Sequence, residues 1–169
     1  MTTVTGTVGQ NNLGVNFTST GGTLNAEASG QAVITGGTGN VNFTNISFGL
    51  ASNSTFTRAV FNLNSNNNGL ITLTVTGINI TGGTFVQNYT VDANGQNFFT
   101  VTAINNQLIQ RIRIDAGAGV TFEDLRQVRL GGGAIVQTAI PEPASMMLLG
   151  TGLIGVAGAA RRRFKAGKK

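Results

Sequence analysis

Apolar and polar residues alternate along most of the first 130 residues, and the apolar positions are mainly Val, Ile and Phe, interleaved with Thr. That period-two pattern, with β-branched and aromatic side chains, predicts strands rather than helices. Leu70–Ile80 reads LITLTVTGINI, which places Ile71, Leu73 and Val75 inward and Thr72, Thr74 and Thr76 outward. Phe56–Leu63 puts Ala59, Phe61 and Leu63 on one side. Leu108–Ile114 sets Arg111 and Arg113 against Ile112 and Ile114. In Val41–Phe48 the inward phase switches at Asn45–Ile46, which predicts a bulge or bend. Thr84–Val91, Phe98–Ala103 and Val120–Leu130 complete the series, with one helical turn conceivable near Phe122–Arg126. Residues 1–40 are poorer in large apolar groups, so looser pairing is expected there.

Turn chemistry separates these runs. Asn94-Gly95 is the strongest short hairpin signal in the chain. Asn64–Gly69 reads as a flexible loop. The Thr-Gly-Gly-Thr repeats begin at 20, 35 and 81. Those unequal gaps argue against a parallel β-solenoid, which needs one fixed period. The expected fold is all-β, an antiparallel β-sandwich or jelly-roll-like body over residues 1–130. A Gly-rich linker follows over 131–140, opened by Gly131-Gly132-Gly133.

The last part of the chain breaks the alternation. Residues 144–160 carry no charge and are rich in Gly, Ala and Leu. As a helix they would span roughly 25 Å, the short end of a membrane crossing. Arg161, Arg162, Arg163 and Lys165 follow at once, as a stop-transfer cluster does, and should hold this end in the cytoplasm. Pro141-Glu142-Pro143 precedes the apolar run. Together these predict a single C-terminal transmembrane helix at 144–160 with a basic tail at 161–169.

The net charge of +5 belongs to that tail. Through residue 140, five arginines balance five acids; Glu142 adds one negative charge and residues 161–169 add six positive ones. The body has no Lys, so nucleic acid is not expected as its partner. Cys and His are absent from the whole chain. That removes thiol nucleophiles, Cys/His metal sites and a histidine general base. Accordingly, catalytic residues: none are expected; no metal site and no cofactor are expected either.

The ordered set of Pro141-Glu142-Pro143, a short Gly-rich apolar helix and a terminal Arg cluster closely resembles the PEP-CTERM sorting signal of Gram-negative bacteria. The resemblance implies recognition by an exosortase, a membrane-embedded cysteine transpeptidase that acts near the Pro-Glu-Pro. It also implies a precursor held in membrane lipid with its body outside the inner membrane. The mature form is then expected at the cell surface or in an exopolysaccharide matrix, as in biofilm or floc formation. Export by this route uses an N-terminal signal peptide. Met1–Thr7 has neither a basic nor an apolar leader region, which leaves three explanations open: a misassigned gene start, a fragment or an unusual export pathway, the first two being favoured. Gly95–Thr100 and Glu123–Arg129 more weakly resemble segments of other proteins with this signal.

The remaining candidate chemistry is sparse. Asp92–Asn97 resembles the start of a calcium loop but lacks an acidic fifth position and a closing Glu, so it reads as a turn. Glu123 and Asp124 beside Arg126 and Arg129 read as a surface ion-pair cluster. Arg111 and Arg113 are expected to pair with acids across the sheet. Asn-x-Ser/Thr sequons at Asn16, Asn42, Asn45, Asn53, Asn79 and Asn88 follow largely from composition and alternation. The Thr72, Thr74, Thr76 row is the one candidate ligand face, for glycan or ice. The expected role is a non-enzymatic surface or matrix structural protein, with that glycan- or ice-binding module as the alternative.

Overall fold

The computed structural model describes residues 1–135 apart from 9–12, 30, 40, 53 and 94. The chain divides into two units, Met1–Val136 and Gln137–Lys169, and the described residues lie in the first. Pro141-Glu142-Pro143, the expected helix at 144–160 and the basic tail all lie outside the described residues. Among the described residues no helix is long and apolar enough to cross a membrane.

The body is all-β, built from two antiparallel sheets. The larger has six strands in the order β1-β2-β5-β11-β8-β9. These are β1 (Thr2–Val8), β2 (Leu13–Ser19), β5 (Asn45–Leu50), β8 (Gly69–Ile78), β9 (Thr84–Val91) and β11 (Leu108–Ala116). The smaller has five strands in the order β10-β7-β12-β4-β3. These are β3 (Leu24–Ser29), β4 (Gln31–Gly36), β7 (Arg58–Ser65), β10 (Asn97–Thr102) and β12 (Phe122–Gly131). Two short strands, β6 (Ser54–Thr55) and β13 (Ala134–Ile135), pair with each other.

Alternation does what the hydrophobic effect requires of it. In β8 Ile71, Leu73 and Val75 are buried, while Thr72, Thr74 and Thr76 are half-buried on the other face. In β7 Ala59, Phe61 and Leu63 are buried, and in β11 Ile112 and Ile114 are buried between outward Arg111 and Arg113. Burying each large apolar side chain stabilises the fold by roughly 1.5–3 kcal/mol. Phe48 of the larger sheet meets Phe61 of the smaller edge-on, at a ring separation of 5.3 Å.

Two backbone bridges tie the sheets together. Phe43 and Phe122 exchange both N–H···O bonds, at 3.1 and 2.8 Å, and Phe56 and Ile109 do the same at 2.9 and 2.8 Å. The phase switch expected at Asn45–Ile46 arises here. Phe43 pairs with Phe122, a bend at Thr44 follows, and β5 begins at Asn45.

Several expectations are corrected. Asn94-Gly95 does not close a hairpin: β9 pairs with β8 in one sheet and β10 with β7 in the other. The segment between them is an arch, held because Asn97 Oδ1 accepts from the Asp92 N–H while its Nδ2 donates to Leu63 O and Asp92 O. The Asn64–Gly69 loop is shorter than expected. Asn64 and Ser65 belong to β7, and the link is pinned by Ser65 Oγ to Asn67 O at 2.8 Å and Asn66 N–H to Thr121 O at 3.0 Å. Phe122–Arg126 is strand, not a helical turn. Its pairing with β7 shifts register between Arg126 and Arg129, where Gln127 takes a positive φ of 57°. Residues 1–40 are not loosely paired: β1–β2 and β3–β4 are regular hairpins. The sheets also run past residue 130, since β12 ends at Gly131 and Ala134–Ile135 pair with β6.

Candidate functional site

Register assembles the outer face of the six-stranded sheet. Thr74 of β8 stands beside Arg113 of β11 and Val86 of β9. Arg113 stands beside Ser47 of β5, Ser47 beside Thr18 of β2, and Thr18 beside Thr3 of β1. One row along, Asp115 faces Thr72, which faces Asn88. Side chains directly opposite across antiparallel strands share a face, so these residues form transverse rows that are polar except at Val86. The Thr72, Thr74, Thr76 row runs across them, down one strand. Thr72 Oγ1 donates to Asn88 Oδ1 at 2.9 Å, so that hydroxyl already has a partner within the sheet.

Arg113 is paired, but not across strands as expected. Its guanidinium holds Asp115, two residues along the same strand, with Nη2 2.6 Å and Nε 2.7 Å from the two carboxylate oxygens. The period of two puts both on one face, which is what lets them meet. No ion pair reaches Arg111 among the described residues. Arg111 stands beside Thr76.

The acidic cluster at Glu123–Asp124 is partly what the sequence indicates. Arg126 pairs with Asp124, and Asn64 Nδ2 donates to Glu123 at 2.7 Å and to Asp124 at 3.4 Å. Asp124 is nearly buried, so this is a more enclosed pair than a surface one. The hydrogen bonds that the guanidiniums donate to Asp115 and Asp124 raise the pKa of Arg113 and Arg126 above the ordinary arginine value, against an opposing desolvation. Both guanidinium groups stay charged. Among the described residues no group of His, Cys, Asp and Glu side chains could hold a metal ion.

A second surface lies at the edge of the sandwich and is not evident from alternation. Strands β9 and β10 leave an open cleft of about 460 Å³ between the two sheets, lined by Leu73, Phe85, Tyr89, Val101, Ile104 and Gln107 among others. Its inner wall continues the core. Phe17, Phe48, Phe61, Phe99 and Tyr89 form an unbroken series of ring contacts with centroids 5.3 to 5.9 Å apart. The series starts under β2 and ends at Tyr89, which is 39% exposed. The sequence sets Phe85 opposite in phase to Val86 but does not show that Phe85 and Tyr89 line a cleft. Their shared phase in a strand without a single charge was the available signal.

Taken together, the body is an all-β protein with a polar sheet face and an apolar edge cleft. The chain carries a PEP-CTERM protein-sorting motif, matched over residues 139–163. The motif implies an exported protein, made as a membrane-anchored precursor and processed by exosortase, a membrane protein. No curated protein matches the chain. A solved structure described as carbohydrate binding module family 29 is similar at 13% identity and a TM-score of 0.40, covering 69% of this chain and 79% of that one.

Proposed function

We propose that this is a non-enzymatic structural protein of the cell surface or an exopolysaccharide matrix, delivered there by its C-terminal signal. The observation that carries this reading is the sorting motif at 139–163 behind an all-β body. In this reading Pro141, Glu142 and Pro143 are substrate residues for the exosortase. The helix at 144–160 holds the precursor in lipid, with the body outside. Arg161, Arg162, Arg163 and Lys165 keep the tail on the cytoplasmic side. Cutting near the Pro-Glu-Pro removes all six tail charges and leaves a body whose arginines and acids balance. A neutral body rich in Thr, Asn and Gly suits a hydrated matrix. The absence of Cys and His from the sequence supports a non-catalytic role.

The test is the mass and location of the mature chain in cells with and without an exosortase. Loss of about the last 26–29 residues is expected only where the enzyme is present. An unchanged mass and a cytosolic body in both strains would overturn the reading.

A second reading is a glycan-binding module that uses the face around Thr72, Thr74 and Thr76. It is favoured by Arg111, a cation without an ion-pair partner among the described residues, standing beside Thr76 on a broad polar sheet. That combination suits an acidic polysaccharide better than ice, which is matched by a flat, uncharged threonine array. Retention on an anionic polysaccharide column, lost in Arg111→Ala, would support it. Equal retention of both forms would sink it.

A further inference from the structure

We propose that the free edge of β9 is a self-association surface, at which β9 pairs antiparallel with β9 of a second copy about a two-fold axis. Three observations carry this. The first is the clustering of exposed apolar groups. Leu70, Phe85, Val86, Tyr89, Phe98 and Ile104 all lie on β8, β9, β10 or the loop after β10. Only Met1 and Val41 are comparably exposed elsewhere among the described residues. The second is the absence of edge protection among the described residues. Exposed edge strands are normally blunted by charge, proline, a bulge or a covering element. Strand β9 (TFVQNYTV) has no charge, proline or glycine, and it pairs with β8 over its full length without a register shift. The other edge of the same sheet differs, because β1 packs against β3.

The third observation selects the occupant. Antiparallel pairing that keeps inward residues opposite inward residues must centre on a residue, not between two. Centring on Gln87 places Phe85 opposite the partner's Tyr89, and Tyr89 opposite the partner's Phe85. Aromatic cross-strand pairs of this kind stabilise a sheet. The same register sets Thr84 opposite the partner's Thr90 and Val86 opposite the partner's Asn88. The strand is therefore complementary to itself. The body's balanced charge adds no repulsion between copies. The joined sheets would form one continuous sheet, with the partner's aromatic side chains lying along the mouth of the cleft. One eight-residue strand pair is a small contact, so the affinity belongs in the roughly micromolar-to-millimolar range.

The chain contains no cysteine, which makes the register directly readable. In antiparallel strands, opposed residues have Cα atoms about 4.5–5.5 Å apart, within disulfide reach. The full chain in excess detergent micelles, carrying Gln87→Cys, is oxidised and compared with Thr5→Cys, an exposed position on β1 of the same sheet. Both carry the same C-terminal segment, so association through it affects them equally. Dimer formation at least tenfold faster for Gln87→Cys is expected. It should fall to the Thr5→Cys rate when Val86→Lys is added. If Gln87→Cys perturbs folding, mixed Thr84→Cys and Thr90→Cys chains serve instead. They should cross-link with each other faster than either does with itself. Equal rates at Gln87 and Thr5, or cross-linking of Thr84 and Thr90 without preference for each other, would overturn the proposal.

Discussion

The two ends of the sandwich are made from similar strands and end differently. At one end β1 and β3 pack together, Leu24 is buried, and Val4 and Val8 are half-buried against the core. At the other, β9 and β10 stand apart, and Phe85 remains 49% exposed although it alternates as regularly as any core residue. Strand β8 shows how local the change is. Its Val75 is buried, while the residue opposite on β9 is Phe85. Alternation therefore tells which side of a strand faces in. It does not tell whether the opposite sheet extends far enough to cover that side.

The centre of the aromatic series is where this comparison breaks most visibly. Phe61 is fully buried and touches both Phe48 and Phe99. Phe61→Ala should destabilise the protein by about 3–5 kcal/mol, from lost transfer energy and the cavity left behind. Urea unfolding would show it as a lower midpoint with an unchanged slope. Tyr89, the last ring in the same series, is partly solvated, and Tyr89→Ala should cost about 1 kcal/mol. Equal losses at the two positions would mean that the edge is as tightly packed as the centre.

Backbone closeness comes next in size. A Cβ on Gly77 would lie 1.9 Å from Leu108 O, where β8 meets β11 just beside the β11 register shift. Neither atom belongs to a side chain that could turn away. Gly77→Ala should therefore cost about 1–3 kcal/mol by overpacking. Amide exchange would localise the loss to β8 and β11, leaving the β1–β2 hairpin protected.

How much of this was legible in the chain depends on the range of the interaction involved. The inward faces of β7, β8 and β11 follow from the order of their own residues. So does the sorting motif, whose three parts are contiguous in sequence. The sheet to which a strand belongs depends on distant partners. Asn94-Gly95 carries good hairpin chemistry, yet β9 and β10 are claimed by β8 and β7. Arg113 finds Asp115 on its own strand because the nearest outward neighbours on β8 and β5 are Thr74 and Ser47. The edge cleft was hidden for the same reason: exposure of Phe85 and Tyr89 is set by what fails to cover them.

The two ion pairs sharpen the comparison on a smaller scale. The Asp124 side chain is 9% exposed and accepts from both Arg126 and Asn64, whereas the Asp115 side chain is 35% exposed. Asp124→Asn turns one acceptor into a donor facing Arg126. With the guanidinium partly solvated, the cost should be about 1–2 kcal/mol. Asp115→Asn should stay within about 0.5 kcal/mol, and it should lose even that at high salt. Parallel denaturation at low and high ionic strength separates the two. A larger effect at Asp115 would mean that the polar sheet face is less open than its exposure indicates.

The smallest effect on folding is expected at Val86, where the comparison between the two ends is most exposed to failure. Val86 is 56% exposed on the outer side of β9, and its cross-strand neighbour is Thr74. A lysine there keeps its charge in water and lays its methylenes along the sheet. Val86→Lys should therefore shift the unfolding free energy by less than about 0.5 kcal/mol at low protein concentration. The same change puts a charge on a bare edge, the device by which natural sheets refuse a neighbouring strand. A neutral effect on folding joined to a loss of cross-linking at Gln87 is what an open, self-complementary edge requires. A large destabilisation of the dilute protein would instead mean that β9 is already covered, and that the two ends of the sandwich are alike.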